Sequence, residues 1–155
     1  MHCSSIGEIP QDLKFEGEES KTIVGNRTTI REYVTINRGT KALGHTIIGS
    51  DCLLMASTHI AHDCIIGNNV ILSNLCTLGG HVEIDDWVVL GGGVLVHQFT
   101  KIGVHSFVGG GFRVTQDIPP FILAADYPLK FKGLNRVGLK RRGFSVEERQ
   151  SMKMI

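Results

Sequence analysis

The sequence predicts an all-β chain, a parallel β-helix of hexapeptide repeats, on the strength of three observations. Every sixth residue over one long stretch is a branched aliphatic: Ile48, Leu54, Ile60, Ile66, Leu72, Leu78, Ile84, Leu90, Val96, Ile102, Val108 and Val114. The residue that follows is glycine at positions 49, 67, 79, 91, 103 and 109. Two places before the aliphatic stands a residue that is mostly small or β-branched: Cys52, Thr58, Cys64, Val70, Cys76, Val82, Val88, Val94, Thr100 and Ser106. A helix repeats every 3.6 residues and a half-buried strand every two, so neither generates this pattern. Stacked hexapeptide coils do.

In such a coil each hexad supplies a short strand and a turn, and three hexads close one triangular turn of about eighteen residues. The sixth-position aliphatic points into the prism, and each strand pairs with its equivalent one coil above and below. The glycine after it falls where the chain turns, and is expected to supply the backbone angles needed there.

Taken in order, residues 1–23 lack a clean register, although Ile6-Gly7 has the form of one rung. Val24-Gly25, Ile30 and Ile36 lie on the same six-step series as Ile48. The missing rung is at Ala42-Leu43, so residues of about 37–46 read as a loop leaving the prism, the kind of segment that carries function disproportionately. The series then runs unbroken to Gln116-Asp117-Ile118-Pro119-Pro120, where two prolines are expected to end the ladder. From Val24 to Gln116 this makes about five coils. The organisation is therefore a β-helix over 1–120 and, over 121–155, a basic connector and the start of a C-terminal α-helical region. Within 128–155, Lys130, Lys132, Arg136, Lys140, Arg141, Arg142, Arg149 and Lys153 face only Glu147 and Glu148. Ser145, with Glu148 three residues later, is a capping-box helix start.

Composition narrows the function classes. A formal net charge of +1 gives no global bias toward nucleic acid or membrane. The start, Met-His-Cys-Ser-Ser, lacks the apolar segment of a signal peptide, and no run is long enough to insert in a bilayer. Cys52, Cys64 and Cys76 share one hexad position and read as core fillers of a chain in the reducing cytoplasm.

Stacking in eighteens places chemistry. His59-Ile60-Ala61-His62-Asp63 lies at one hexad boundary, and Gly79-Gly80-His81 one coil further on. Residue 62 then neighbours 80, and 63 neighbours 81. Ala61, Gly79 and His97 form a third stack, so His62, His81 and His97 share one wall, which His59 begins. Each histidine alone reads equally well as a solvated surface position. A metal set from His59, His62, Asp63 and Cys64 is a further reading, although the spacing fits no zinc ribbon or finger. The runs Gly91-Gly92-Gly93 and Gly109-Gly110-Gly111 lack the strand–loop–helix context and lysine of a phosphate loop, and read as turns.

Several of these segments also carry a family resemblance. Thr58-His59-Ile60-Ala61-His62-Asp63-Cys64, Leu78-Gly79-Gly80-His81, Val96-His97-Gln98-Phe99, Thr115-Gln116-Asp117-Ile118-Pro119-Pro120, Gly138-Leu139-Lys140-Arg141-Arg142-Gly143-Phe144-Ser145 and Ser5-Ile6-Gly7-Glu8-Ile9-Pro10-Gln11-Asp12-Leu13-Lys14 resemble the acyl-carrier-protein–UDP-N-acetylglucosamine O-acyltransferases of lipid A biosynthesis. The resemblance covers nearly the whole chain. It implies a left-handed β-helix, a C-terminal helical region and a cytoplasmic homotrimer. The first several coils and most of the C-terminal helices of the family lie beyond this sequence.

The implied reaction moves an R-3-hydroxyacyl chain from acyl carrier protein, whose thioester is the co-substrate, to the 3-hydroxyl of UDP-N-acetylglucosamine, without metal or cofactor. His62 matches the family's general base, Asp63 its acidic helper, and the Gly80 N–H its oxyanion donor. Asp12, Lys14, His59 and His81 match substrate contacts. His97 and Gln98 match positions facing the nucleotide or a neighbouring subunit; Asn135, Arg141 and Arg142 match the nucleotide-binding segment. Gly110 matches the acyl-chain ruler. The basic tail suits the acidic acyl carrier protein. Two positions depart: Val137 replaces an acidic residue beside the nucleotide, and Pro128 a histidine near the acyl path. Two other readings stay open, a metal-dependent β-helix enzyme resembling the γ-class carbonic anhydrases and a non-catalytic β-helix. From sequence alone the pairing of His62 with Asp63 is a puzzle, because adjacent strand residues point to opposite faces.

Overall fold

The computed structural model describes residues 3–152; Lys153 of the basic tail lies outside the described residues. Two-residue strands stack into three parallel sheets that form the sides of a triangular prism. In the first sheet His59 pairs with Thr77, Thr77 with Leu95, and Leu95 with Arg113. Each step is eighteen residues (77 − 59 = 95 − 77 = 113 − 95 = 18), as the hexads predict. The second sheet runs through Ile47, Ile65, Glu83 and Lys101, the third through Leu53, Ile71, Val89 and Phe107.

Nearer the N-terminus the step widens. Ile36 pairs with Ile60 and Val24 with Ile48, twenty-four residues apart (60 − 36 = 48 − 24 = 24). Ile6 pairs with Ile36, thirty apart (36 − 6 = 30). The extra six and twelve residues leave the prism within residues 38–44 and 9–20. Both surpluses are multiples of six, so the rungs before them stay in phase in the sequence. The excursions pack on one another: the Arg38 N–H donates to the Glu8 carbonyl at 3.0 Å, and the Lys41 N–H to Glu18 Oε1 at 2.8 Å. The Arg38 guanidinium lies over the Phe15 ring.

The interior is the aliphatic series itself. Leu54, Ile60, Leu72, Leu78, Leu90, Val108 and Val114 have no exposed surface. Cys52, Cys64 and Cys76 are buried beside them, and each thiol donates at 3.2 Å to a carbonyl of the next coil, those of Gly67, Gly79 and Gly91.

Two expectations are corrected. The glycines after the aliphatics do not supply left-handed angles: none of positions 49, 67, 79, 91, 103 and 109 has a left-handed φ. Those angles fall two residues later, and mostly on side-chain-bearing residues: Asp51, Asn69, His81 and His105. The glycines are there for space. A Cβ on Gly91 would lie 2.5 Å from the Gly110 nitrogen, and one on Gly103 2.5 Å from the Pro120 nitrogen. The second correction concerns Pro119-Pro120, which do not end the ladder. They occupy a corner between Ile118, bridged to Ile102, and a strand Ile122–Ala125 paired with Phe107–Val108. A corner needs no ladder N–H at those positions, so prolines are tolerated.

The basic connector accordingly holds more than the sequence pattern suggested. Lys130–Leu134 returns antiparallel along Ile122–Ala125. Helix α1 (Arg136–Arg141) follows, then α2 (Val146–Ser151), whose Ser145–Glu148 capping box is complete.

Candidate active site

The chemistry gathers at the corner between the first and second sheets. His62 and Asp63 lie between strands His59–Ile60 and Ile65–Ile66, not within either. Asp63 has φ +58°. The chain reverses there, so neighbouring side chains converge instead of alternating, and His62 Nδ1 comes to 2.9 Å from Asp63 Oδ2. This resolves the puzzle left by the sequence.

The predicted stacking is present. The His81 N–H donates to the His62 carbonyl at 3.0 Å, which sets 80 over 62 and 81 over 63. A Cβ on Gly80 would lie 2.7 Å from His62 Nε2, so only glycine leaves room for the imidazole. The corresponding N–H of Ser50 is capped by Asn68 Oδ1 and that of Asn68 by Asp86 Oδ1. The Gly80 N–H makes no such bond among the described residues, and the residue lies against the ring. His81 stacks on Phe99 with centroids 4.5 Å apart and meets His62 edge-on at 5.1 Å.

Asp63 is buried, with a side chain that has no exposed surface. Its Oδ1 accepts the Thr40 N–H at 2.9 Å and its Oδ2 the Thr40 hydroxyl at 2.6 Å. Its own N–H donates to Thr46 Oγ1 at 2.9 Å. Burial pushes the carboxyl up, but the bonds from Thr40 and His62 and the His81 charge outweigh it, and the group sits below the ordinary carboxylate range. An ionised carboxylate only accepts, so the shared proton is on His62 Nδ1, and the neutral form of the ring has its lone pair on Nε2. His62, Asp63 and His81 hold ligand atoms within 4.8 Å of one another, a spacing a small cation could bridge. Both carboxylate oxygens and His62 Nδ1 are already engaged, so the cluster reads as a hydrogen-bonded acid–base pair.

These shifts predict how stability responds to acid. Burial lowers His59 and, with the Arg142 charge, His105, below their ordinary 6.5. Groups depressed in the folded state stabilise it above the unfolded value and lose that contribution as pH falls through the folded one. The melting temperature is therefore expected to decline as pH drops below 6.5 and again below the ordinary 3.8 of Asp63. Asp63→Asn should lessen the second decline, to which Glu18, Asp51 and Glu147 also contribute, and calorimetric scans across pH read both.

The other predicted residues are placed unevenly. The half-buried His59 starts the wall, its Nδ1 2.7 Å from Thr35 Oγ1. Exposed His97 turns to the Gln98 carbonyl at 3.0 Å and stays outside the cluster. Gln98 continues the 62–80 stack, its nitrogen where a Gly79 Cβ would be. Asp12 and Lys14 lie on the 9–20 excursion, where Asp12 Oδ1 accepts the Lys14 N–H at 3.0 Å. Gly110 stacks on Gly92 at the corner after the third sheet, a different edge from His62.

Asn135, Arg141 and Arg142 lie along the third sheet, on the side of the prism away from the His62 corner. Asn135 is buried and both ends of its amide are used: Oδ1 caps α1 by accepting the Gly138 N–H at 3.1 Å, and Nδ2 donates to the His105 carbonyl at 3.0 Å. One donor and one acceptor of that amide are therefore spent on holding α1 against the prism, and one of each is left. Arg141 and Arg142 line a groove of about 1030 Å³ walled by Ile71, Val89 and Phe107. The Arg142 guanidinium lies over Trp87. Within one chain, then, the basic segment and the His62 cluster do not meet. Thr40, Thr46 and Phe99 carry no individual assignment from sequence; Thr40 and Thr46 lie in the segment of about 37–46 read there as a functional loop, and Phe99 closes the motif Val96-His97-Gln98-Phe99.

The prism of stacked hexads places the chain in the class of hexapeptide-repeat β-helices. Residues 45–80 match the bacterial transferase hexapeptide model of six repeats, and residues 117–155 match domain 2 of UDP-N-acetylglucosamine O-acyltransferase. An acyl-[acyl-carrier-protein]–UDP-N-acetylglucosamine O-acyltransferase of Burkholderia orbicola is 48% identical over 147 residues, 94% of this chain and 56% of that one. Among solved structures, the UDP-N-acetylglucosamine acyltransferase of Francisella novicida superposes with a TM-score of 0.95 at 39% identity, covering 97% of this chain and 56% of its own. The Moraxella catarrhalis O-acyltransferase gives 0.94 at 40%, with 97% and 59% covered. The chain belongs to the acyl-[acyl-carrier-protein]–UDP-N-acetylglucosamine O-acyltransferase family and has its left-handed β-helix. It spans just over half the length of the curated relatives it matches.

Proposed function

We propose that this chain carries the acyl-transfer centre of an enzyme that moves an R-3-hydroxyacyl group from acyl carrier protein to the 3-hydroxyl of UDP-N-acetylglucosamine, the first step of lipid A biosynthesis. The observation that carries the reading is the His62 ring lying over Gly80 while buried Asp63 holds its Nδ1. A sugar hydroxyl is a weak nucleophile at neutral pH, and a base on Nε2 removes its proton as it attacks the thioester carbonyl. The tetrahedral oxyanion that forms needs a donor, and the unengaged Gly80 N–H beside the ring supplies one. His62 then returns the proton to the departing thiolate.

Substrate contacts are assigned to Asp12, Lys14, His59, His81, His97, Gln98, Asn135, Arg141 and Arg142, and acyl-length selection to Gly110. The separation of the Arg141–Arg142 groove from the His62 corner supports a homotrimer in which one copy's basic segment serves the next copy's site. Exposed Leu95 and Phe99 on the intervening surface favour burial against such a copy. The cytoplasm is the compartment that fits an acyl-carrier-protein substrate, and no helix of the described residues is long and apolar enough to cross a membrane.

The test is transfer to UDP-N-acetylglucosamine from a panel of acyl carrier proteins bearing different chains, with light scattering to count subunits. Transfer of a hydroxyacyl group by a trimer is expected. Absence of transfer in a correctly assembled trimer overturns the reading. The three-ligand spacing of His62, Asp63 and His81 favours one second reading, a metal-dependent enzyme; stoichiometric zinc in purified protein and loss of activity on chelation would select it.

A further inference from the structure

We propose that Thr40 is a positioning residue for the His62–Asp63 pair, and that the excursion at residues 38–44 is the strap that delivers it. Asp63 lies on a turn, where a short side chain has several ways to point. Two donors from one residue remove that freedom: the Thr40 N–H meets Oδ1 at 2.9 Å and the Thr40 hydroxyl meets Oδ2 at 2.6 Å. The direction of the second bond is set locally. Thr40 Oγ1 accepts the Ala42 N–H at 3.2 Å, and the carboxylate can only accept, so the hydroxyl proton points at Asp63. With both oxygens held, the carboxylate plane is fixed and Oδ2 is aimed at His62 Nδ1.

The strap is itself anchored. The Gly44 N–H closes on the Thr40 carbonyl at 2.6 Å, and the Gly39 N–H donates to Lys21 at 3.2 Å. Gly39 packs so closely on the His45 backbone that a Cβ has no place there. Thr40 is 5% exposed and Asp63 2%, so water does not compete for these bonds. The later coils pair at the plain eighteen-residue step, without the six extra residues that bring Thr40 in. The charged groups facing Asp63 are His62 on its own turn, His81 on the next coil and, across a small cavity walled by Ala42 and Leu43, the Glu83–Lys101 ion pair. None of these except His62 bonds to the carboxylate, so Thr40 is its main anchor.

The catalytic meaning of this inference rests on the acyl-transfer reading, but its geometry does not. The experiment compares Thr40→Val, Thr40→Ser and wild type in the full chain, following the Asp63 carboxyl by carbon NMR titration and transfer by steady-state kinetics. Thr40→Val, which keeps shape and loses the hydroxyl donor, should move the Asp63 titration upward; Thr40→Ser should leave it near wild type. Thr40→Val should also lower kcat about tenfold to a hundredfold, with KM within about twofold. Its acid limb of kcat/KM should shift to higher pH, because a carboxylate released from one donor holds the imidazolium more strongly. In an Asp63→Asn background the same substitution should cost little. A merely structural threonine would lower the melting temperature without moving the titration or the limb. If Thr40→Val does not fold, Thr40→Ala carries the same comparison. An Asp63 titration identical in wild type and the hydroxyl-less variant overturns the inference. A wild type that titrates as described but transfers no acyl group overturns the acyl-transfer reading alone.

Discussion

Replacing His62 with alanine lowers kcat for acyl transfer by about a hundredfold to ten-thousandfold, with KM for the nucleotide sugar changed little. The imidazole is held at fixed orientation because its Nδ1 is committed to Asp63 at 2.9 Å, which leaves Nε2 for the substrate. Removing it takes away the proton acceptor and leaves the Gly80 N–H in place, so residual rate reflects oxyanion stabilisation and approximation alone. Gly80→Ala should resemble it for a different reason, since the added methyl would lie 2.7 Å from Nε2 and push the ring out of line. Single-turnover transfer with matched substrates reads both. Unchanged rates in His62→Ala would remove the base assignment entirely.

Gly91→Ala is expected to destabilise the fold by about 2–3 kcal/mol, whereas Leu75→Gly should change stability by less than about 1 kcal/mol. A rule of thumb that glycine serves the strained turn would predict the reverse. Gly91 has an ordinary φ, but its Cβ would sit 2.5 Å from the Gly110 nitrogen and 2.8 Å from its Cα, both backbone atoms of the next coil. Neither coil can give without opening the ladder. Leu75 has φ +64° and is 61% exposed, so a glycine there relieves strain and loses little burial. Denaturant melts of the two variants, side by side, distinguish space from torsion.

Much of this was legible beforehand because the fold is periodic. Once Ile60 and Leu78 are known to be rungs, His62 and Gly80, and Asp63 and His81, must be neighbours; no further information is needed. What the period cannot describe is what leaves it. The 9–20 excursion kept the phase of the rungs and shows in the six-step series only as the polar positions Asp12 and Glu18, and Thr40 reaches Asp63 from outside the prism. The hairpin at 122–134 and helix α1 were missed because their patterns are short, although Asn135 ahead of a basic last turn is a helix signature in hindsight. The prolines misled by position: they mark a corner, and only within a strand do they forbid pairing. Asn135 shows a role that no residue type announces, because its amide caps α1 and ties it to the His105 carbonyl.

The His62 cluster draws its parts from three successive layers: Thr40 from one, His62 and Asp63 from the next, Gly80 and His81 from the third. In a stack where each layer touches only its neighbours, its precision depends on two interfaces. Damage far along the axis, at Val108 for instance, should shorten the lifetime of the folded chain and yet leave the His62–Asp63 hydrogen bond intact. Lesions would thus sort by altitude, those beside the cluster altering chemistry and those remote from it altering only endurance.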